Sequence, residues 1–184
     1  MKGTQFAVNG RTTFLRGKHD GCVFPLTGHP PMDEAGWLKY LKICRQYGIN
    51  HIRFHTWTPP EAAFAAADAL GMYLQPELPY WGEYNETIQK AMMPEAERIL
   101  KAYGNHPSFV IFTLGNECGG SRDVMAAMVS DLRARDPRHL YAQGSNNFYW
   151  DPSPGAGDDF WTTMRTGKDA AHSVRGSFAT VDGG

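Results

Sequence analysis

The chain has 184 residues, of which 42% are hydrophobic and 20% charged, a composition typical of one soluble globular domain rather than of a disordered segment. The 18 Lys and Arg residues and 19 Asp and Glu residues give a formal net charge of -1, which argues against nucleic acid or an anionic membrane surface as a partner. No apolar run approaches the roughly 20 residues of a transmembrane helix.

The cysteines and the amino terminus give little further guidance. Cys22, Cys44 and Cys118 are too scattered to predict a disulfide framework, and no CxxC pair indicates a zinc site. No GxGxxG or GxxxxGK motif follows a strand, so no nucleotide cofactor is predicted. The start of the chain lacks the apolar stretch of a signal peptide. This favours either a cytoplasmic protein or a piece of a longer chain, and the sequence leaves both open.

Short β-type runs alternate with helical stretches along the chain. The predicted elements are, in order, a strand at 12–16 that leads into a polar loop at 17–20, a helix at 33–47, a strand at 49–54, a helix at 61–70, a strand at 72–74, a helix at 86–103 interrupted at Pro94, a strand at 109–114, a helix at 121–135 and a strand at 139–143. Asp33 and Ser121 are suitable caps for the helices that follow them. The strand at 109–114 is nearly all apolar, as expected for a strand buried on both faces.

This alternation predicts a parallel sheet with helices outside it. Two architectures fit, an open doubly wound sheet or the first part of a (β/α)8 barrel, and the strand pattern alone does not choose between them. Residues 1–144 hold the alternating pattern. Residues 145–184 lack clear periodicity and are predicted to be a long loop or an incomplete continuation of the fold.

Polar and aromatic side chains follow the predicted strands. In both architectures ligands bind at the carboxyl ends of parallel strands, so these residues are expected on one rim. Indole rings stack on sugar rings, and amides and carboxylates match sugar hydroxyls. The rim composition therefore suggests a carbohydrate ligand. The rim candidates are Asp20, Arg53, His55, Trp57, Glu77, Trp81, Asn116, Glu117 and Asn146.

The segment 105–117 gives the most specific functional signal, because its apolar strand places Asn116 and Glu117 at the carboxyl end of the sheet. A glycosidic oxygen needs a proton as it leaves, and a carboxyl group at a partly apolar mouth can supply it. An amide beside it could bind the sugar 2-hydroxyl. From the residue types alone, a simple turn into the next helix is an equally good interpretation.

This segment resembles the acid/base motif of glycoside hydrolase family 2, the group that contains β-galactosidases, β-glucuronidases and β-mannosidases. Further segments match that family in the same order, namely 6–10 with 14–17 at the entry to the first strand, 50–55 at the second strand and 67–73 before the third. The resemblance covers about residues 6–145. It implies the (β/α)8 TIM barrel of a glycosidase, with only about the first five strands present.

The resemblance also implies roles for the rim residues. Glu117 would be the general acid/base of a retaining double-displacement mechanism, and Asn116 would bind the 2-hydroxyl. Arg53 is expected to orient carboxylates from below, with a structural ion pair as the alternative, and His55 to reach substrate. Glu77 would contact substrate or pair with Arg53. Trp57 and Trp81 are alternatively sugar platforms or caps of the barrel core, and Asp20 is alternatively a substrate contact or part of a solvated loop.

The chain departs from the family in one important respect. A retaining enzyme needs a second carboxylate as nucleophile, and no glutamate follows Glu117. The expected length of a complete barrel is also about 250 residues. We therefore expect part of a longer catalytic barrel, with two open sheet edges, inactive alone and completed by the remainder of a parent chain.

Two alternatives to an enzyme fragment of this kind follow from the same residues. The first is a carbohydrate-binding fragment that uses the rim without chemistry. The second is a metal hydrolase built on His51, His55 and Glu77. Residues four apart on a strand lie about 13 Å apart, too far to share one ion, so this second alternative is disfavoured and no metal is predicted.

Overall fold

The computed structural model describes residues 5–145 and 155–160. Within these residues, the helices are α1 (Glu34–Gln46), α2 (Glu61–Leu70), α3 (Glu86–Tyr103) and α4 (Arg122–Arg135). The strands are β1 (Ala7–Val8), β2 (Arg11–Thr12), β3 (Gly17–Asp20), β4 (His51–Phe54), β5 (Tyr73–Gln75), β6 (Glu83–Tyr84), β7 (Ile111–Thr113), β8 (Gly119–Gly120) and β9 (Leu140–Ala142). In this part of the chain, no helix is long and apolar enough to cross a membrane.

Five of these strands run parallel in the order in which they occur. Strand β4 lies between β3 and β5, and β7 pairs with β9. Isolated parallel bridges at Leu74–Phe109 and Glu77–Thr113 connect β5 to β7. A helix separates each strand from the next, which confirms the predicted parallel βα arrangement. Over residues 5–145 and 155–160 the sheet does not close on itself.

The two faces of the sheet have different neighbours. Phe54 packs edge-on against Trp37 of α1, with ring centroids 6.2 Å apart. Arg53, the preceding residue, points to the opposite face and pairs there with Glu77. Successive side chains of a strand alternate in this way. The apolar core therefore lies between sheet and helices, and the opposite face carries polar side chains.

The first strand of the parallel sheet differs from the prediction. Residues 17–20, predicted as a loop, form β3 and pair with β4 from Gly17–His51 to Asp20–Phe54. Arg11–Thr12 instead pairs with Ala7–Val8 in an antiparallel hairpin. Hydropathy misses β3 because three of its four residues are polar. Asp20 is nonetheless buried, where it accepts from the Tyr40 hydroxyl and pairs with Lys18.

The helices follow the prediction with one exception. Asp33 and Ser121 cap α1 and α4 by accepting hydrogen bonds from Gly36 N and Val124 N. Helix α3, however, runs without interruption through Pro94. Proline removes one backbone donor but does not have to end a helix whose other hydrogen bonds and packing are retained.

Besides Ser145, residues 155–160 are the described part of the predicted tail. They lie against β9, with Asp159 N donating to Tyr141 O at 2.9 Å. The expectation that β9 leaves an open edge is therefore wrong for this strand. The rest of the tail from residue 146 onwards lies outside the described residues.

Candidate active site

A buried polar network lies on the inner face of the sheet, at the carboxyl ends of the strands. Arg53 of β4 donates from Nε to Glu77 Oε1 at 2.7 Å and from Nη2 to Glu77 Oε2 at 3.2 Å. The same Nη2 donates to Asn116 Oδ1 at 2.5 Å. All three side chains are buried. One guanidinium thus connects β4, the residue that follows β5 and the residue that follows β7.

Glu77 receives two donors beyond Arg53. Thr56 N donates to Oε2 at 2.9 Å, and Thr113 Oγ1 donates to Oε1 at 3.2 Å. A fully buried carboxylate is stable only when it is paired and hydrogen-bonded in this manner. Of the two roles predicted for Glu77, the geometry shows the pairing with Arg53. Its four contacts make it the fixed centre of the network.

Asn116 and Glu117 belong to a segment, residues 115–121, that is called the Asn-Glu segment here. The loop 80–84, which follows β5, binds its backbone on one side through a series of hydrogen bonds: Asn116 N to Tyr80 O, Gly119 N to Gly82 O, and Ser121 N to Tyr84 O. Their lengths are 3.1, 3.0 and 2.9 Å. The buried Tyr84 hydroxyl adds a bond to Leu114 O at 2.9 Å. The loop therefore fixes the position of the Asn-Glu segment.

Glycines allow the loop and the Asn-Glu segment to approach this closely. A Cβ atom at Gly115 would lie 2.2 Å from Tyr80 O, and one at Gly120 would lie 2.4 Å from Tyr84 O. Gly115 also has a φ of 141°, which L side chains rarely adopt. Only glycine fits these two positions.

Ser145, which follows β9, holds the other side of the Asn-Glu segment. Glu117 N donates to Ser145 O at 2.8 Å, and Ser145 N donates to Gly115 O at 2.9 Å. Gln75 Nε2 donates to Ser145 Oγ at 3.0 Å from the inner face of β5. Glu117 itself is half-buried and has a φ of 49°, in the left-handed region that non-glycine residues seldom occupy. Backbone strain of this kind is concentrated at functional sites.

Three rings form a row along the rim from β3 to the 80–84 loop. His19 and His55 meet edge to face with centroids 5.0 Å apart, and His55 meets Trp81 in the same way at 5.7 Å. The Trp81 side chain is 62% exposed. Burial, with a contribution from the Arg53 charge, lowers the pKa of His19. Two of the predicted rim residues, His55 and Trp81, are thus brought together at the surface.

Trp57 and Asp20 lie on the other side of β3 and β4. Trp57 packs against Phe54 at 5.0 Å and donates from Nε1 to Asp20 O at 3.1 Å. The Asp20 carboxylate accepts from Tyr40 of α1 and from Cys22 N. Both side chains therefore face the helical layer, which corresponds to the core-capping alternative for Trp57. Asn146 lies outside the described residues.

The residues of the metal-hydrolase alternative do not converge. Burial lowers the pKa of His51 to about 4, with a contribution from Arg53, and the Glu77 carboxylate is engaged by Arg53. In residues 5–145 and 155–160, no group of three or more His, Cys, Asp or Glu side chains is placed to hold a metal ion. A cavity of about 460 Å³ lies at the amino-terminal ends of the strands, between Phe6, Tyr73 and Leu140, away from the network.

Sequence reasoning missed three residues that hold the site together: Gln75, Tyr84 and Ser145. Each acts through a contact between distant parts of the chain, such as the bond that joins residues 75 and 145. The glycine-rich run Gly115, Gly119 and Gly120 was the available signal, since repeated glycines next to a polar pair indicate a close backbone approach.

Residues 1–149 match the family described as "Glycosyl hydrolases family 2, TIM barrel domain". A β-galactosidase from Arthrobacter sp. (strain B7) is 29% identical over 153 residues, which are 73% of this chain and 14% of that protein. A crystal structure of a β-glucuronidase from Parabacteroides merdae is similar with a TM-score of 0.72 at 20% identity, covering 88% of this chain and 21% of that one. A β-galacturonidase from Eisenbergiella tayi bound to galacturonate has a TM-score of 0.68 at 18% identity, covering 77% of this chain and 27% of that one.

These relatives are much longer than the chain. It spans 12% to 16% of the length of the curated relatives that it matches. The matched region nevertheless contains the whole network of Arg53, Glu77 and Asn116, together with Glu117.

Proposed function

Since the chain belongs to glycoside hydrolase family 2 and has the TIM-barrel fold of that family, we propose that it is the acid/base-bearing part of a retaining glycosidase barrel. The observation that carries this proposal is the placement of Glu117. It lies at the carboxyl end of a buried parallel strand, on a segment bound from both sides, next to an amide that is fixed by Arg53. This is the end of a TIM barrel at which active sites are built.

In the proposed reaction, Glu117 acts first as an acid and then as a base. It donates its proton to the glycosidic oxygen as the bond to the anomeric carbon breaks, while a second carboxylate attacks that carbon. In the second step Glu117 takes a proton from water, whose oxygen displaces the enzyme carboxylate and releases the sugar. Both steps require one carboxyl group held at a fixed distance from the scissile bond, which the two-sided binding of residues 115–121 supports.

Asn116 is proposed to bind the sugar 2-hydroxyl. Its side-chain oxygen accepts from Arg53, so the orientation of its amide group is fixed. Arg53 and Glu77 are positioning residues in this proposal, because their charged groups are engaged with each other beneath Asn116. Positioned groups of this kind lower the entropic part of a catalytic barrier.

His55 and Trp81 are proposed as the side chains that contact the sugar ring. The exposed indole offers a flat apolar face, and the His55 ring lies edge to face against it. Asp20 and Trp57 support β3 and β4 from the helical side. Asn146, which follows Ser145 in the sequence and lies outside the described residues, is proposed as a further substrate contact.

The nucleophile is proposed to come from barrel strands that continue this chain in a parent protein. The direct test is an assay of the pure 184-residue protein on nitrophenyl β-glycosides beside its Glu117→Gln variant. We expect both proteins to release nitrophenol at the same background rate. Turnover by the unsubstituted protein that Glu117→Gln abolishes would show that residues 145–184 supply a nucleophile.

A carbohydrate-binding fragment without chemistry is the second candidate, favoured by the absence of any glutamate after Glu117 in the sequence. In this case the chain binds a monosaccharide or glycan through the row of rings without hydrolysing it. Titration of methyl β-glycosides against the chain, monitored by tryptophan fluorescence, distinguishes the two. Binding that Trp81→Ala removes and Glu117→Gln leaves unchanged supports the second candidate.

A further inference from the structure

The edge of β9 is occupied by a segment that is not a barrel strand. Alternate residues of β9 direct their backbone groups to opposite sides: Leu140 N bonds to Val110 O of the neighbouring strand, whereas Tyr141 faces away from it. Residues 155–160, called the strap here, lie on that outer side. They cover the position at which a sixth parallel strand of a barrel has to pair.

The strap binds the backbone groups at the edge of β9 mainly through side-chain carboxylates. Asp159 Oδ2 accepts from Tyr141 N at 2.8 Å, and Asp158 Oδ1 accepts from Gln143 N at 2.7 Å. Asp159 N donates to Tyr141 O at 2.9 Å. Three backbone groups of the edge, Tyr141 N, Tyr141 O and Gln143 N, are thus bound without a regular ladder.

The strap runs antiparallel to β9. Asp158 lies beside Gln143 and Asp159 beside Tyr141, so residue numbers increase along the strap in the direction in which they decrease along β9. Its lower end reaches the amino-terminal part of the chain, where the Phe160 and Phe6 rings have centroids 6.1 Å apart. Neighbouring strands of a TIM barrel are parallel. The antiparallel strap is therefore not the sixth strand of the barrel.

Helix α4 and the strap itself hold the two carboxylates in place. Arg133 Nη2 donates to Asp159 Oδ2 at 2.8 Å and to Gly157 O at 2.6 Å. Gly155 N donates to Asp158 Oδ2 at 2.8 Å. Asp158 thus accepts from β9 and from Gly155 N through different oxygens, whereas Asp159 accepts from β9 and from Arg133 through the same oxygen. Hydrogen bonds to an ionised carboxylate are stronger than those between neutral groups.

We propose that residues 155–160 form a replaceable guard for the pairing edge of β9. The strap prevents this edge from pairing with a second copy of the chain, and it gives way to a parallel sixth strand when the barrel is completed. Unpaired edges promote association between chains, and buried or inward-pointing charges on an edge are one way in which proteins prevent it. The naming of a barrel strand as the replacement rests on the proposed function; the guarding of the edge does not.

The test compares the 184-residue protein with a variant that carries both Asp158→Ala and Asp159→Ala. Hydrogen exchange of the Tyr141 and Gln143 amides is measured by NMR, and the association state by sedimentation. In the unsubstituted protein we expect both amides to be protected and the chain to be monomeric. In the double variant we expect exchange at these amides to be faster by about tenfold or more, as for the loss of a charge-assisted hydrogen bond, and the chain to self-associate.

Two controls keep the result specific. Asp131→Ala removes a partly exposed carboxylate of α4 that pairs with Arg135 of the same helix, and it should change neither readout. Asp159→Asn retains an acceptor for Tyr141 N and should remain monomeric with intermediate exchange. Unchanged exchange at Ile52 and Leu74 in β4 and β5 would show that the double variant is folded.

The proposal is overturned if Tyr141 and Gln143 exchange equally fast in both proteins. It is also overturned if exchange accelerates in the folded double variant while the chain stays monomeric, since the strap would then bind the edge without guarding it. Both readouts are independent of glycoside turnover, so an inactive chain leaves the test intact.

Discussion

Arg53 of β4 and Glu77, which follows β5, form a buried bidentate ion pair with N–O distances of 2.7 and 3.2 Å. The same guanidinium donates to the Asn116 side chain, so the ion pair determines the position and orientation of the amide next to Glu117. The proposed chemistry of Glu117 therefore depends on a charged pair that need not contact substrate itself.

Replacing Arg53 by Ala should destabilise the fold strongly, because it leaves the fully buried Glu77 carboxylate without its cation. Breaking a buried pair from one side costs about 3–5 kcal/mol in the free energy of unfolding. Urea unfolding followed by circular dichroism measures this loss. Arg98→Ala, which removes an exposed partner of Glu95, is the matched control and should leave the midpoint almost unchanged. Equal effects of the two substitutions would contradict the structural role of Arg53.

Gly115→Ala should disturb the approach of the 80–84 loop to the Asn-Glu segment. The new Cβ would lie 2.2 Å from Tyr80 O, so the backbone of one side has to move. Gly10→Ala is the control, since Gly10 has a φ of 77° but open space around its Cβ position. Positive φ alone costs about 1–2 kcal/mol for an alanine, and we expect Gly115→Ala to exceed the control in thermal unfolding. A loss no larger than that of Gly10→Ala would mean that the contact with Tyr80 is loose.

Stability should fall as the pH rises above neutrality, because of His106. Burial alone would lower the pKa of His106, but hydrogen bonds to Asp68 and Glu61, at 2.6 and 2.9 Å, outweigh it and raise the pKa above 6.5. A raised folded-state pKa gives a contribution that is complete below the unfolded value of 6.5 and is lost as the pH rises through the folded value.

The measurement for His106 is the free energy of unfolding between pH 5.5 and about 8.5. His106→Gln should flatten the decline across this window, whereas His29→Gln, at an exposed position, should leave it in place. A decline of the same slope in His106→Gln would assign the pH dependence to another group.

Local patterns predicted the parts of the fold that depend on local interactions. The caps Asp33 and Ser121 and the apolar strand before Asn116 each determine their structure with neighbours a few residues away. Strand β3 was missed because Lys18, His19 and Asp20 are polar, so the strand lacks the alternating apolar residues that predict a strand. Contacts in the folded chain satisfy these polar groups. The predicted interruption at Pro94 was wrong for a related reason, since packing of α3 outweighs the loss of one backbone donor.

The candidate site shows the same division. The position of Glu117 after a buried strand could be predicted, as could the pairing of Arg53 with Glu77 as one of two alternatives. The support from Tyr84, Gln75 and Ser145 could not be predicted. Each of these residues joins segments about 30 or more residues apart, and such contacts produce no recognisable pattern in the sequence. The strap on β9 escaped prediction because side-chain carboxylates, rather than an alternating strand, occupy the edge.

The most direct test of the central claim, that Glu117 is the acid/base, uses leaving groups of different quality. Protonation of the departing oxygen matters greatly for an alkyl β-glycoside and little for a dinitrophenyl β-glycoside, whose oxygen leaves readily as an anion. The measurement is kcat/KM for both substrates in a protein in which this chain is continued by the remaining strands of its barrel, with Glu117→Gln and the exposed Glu86→Gln as a matched pair. We predict that Glu117→Gln lowers kcat/KM for the alkyl glycoside by about 10²–10⁴ and for the dinitrophenyl glycoside far less, while Glu86→Gln changes neither. Equal losses for both substrates, or no loss for either, would contradict the assignment of Glu117.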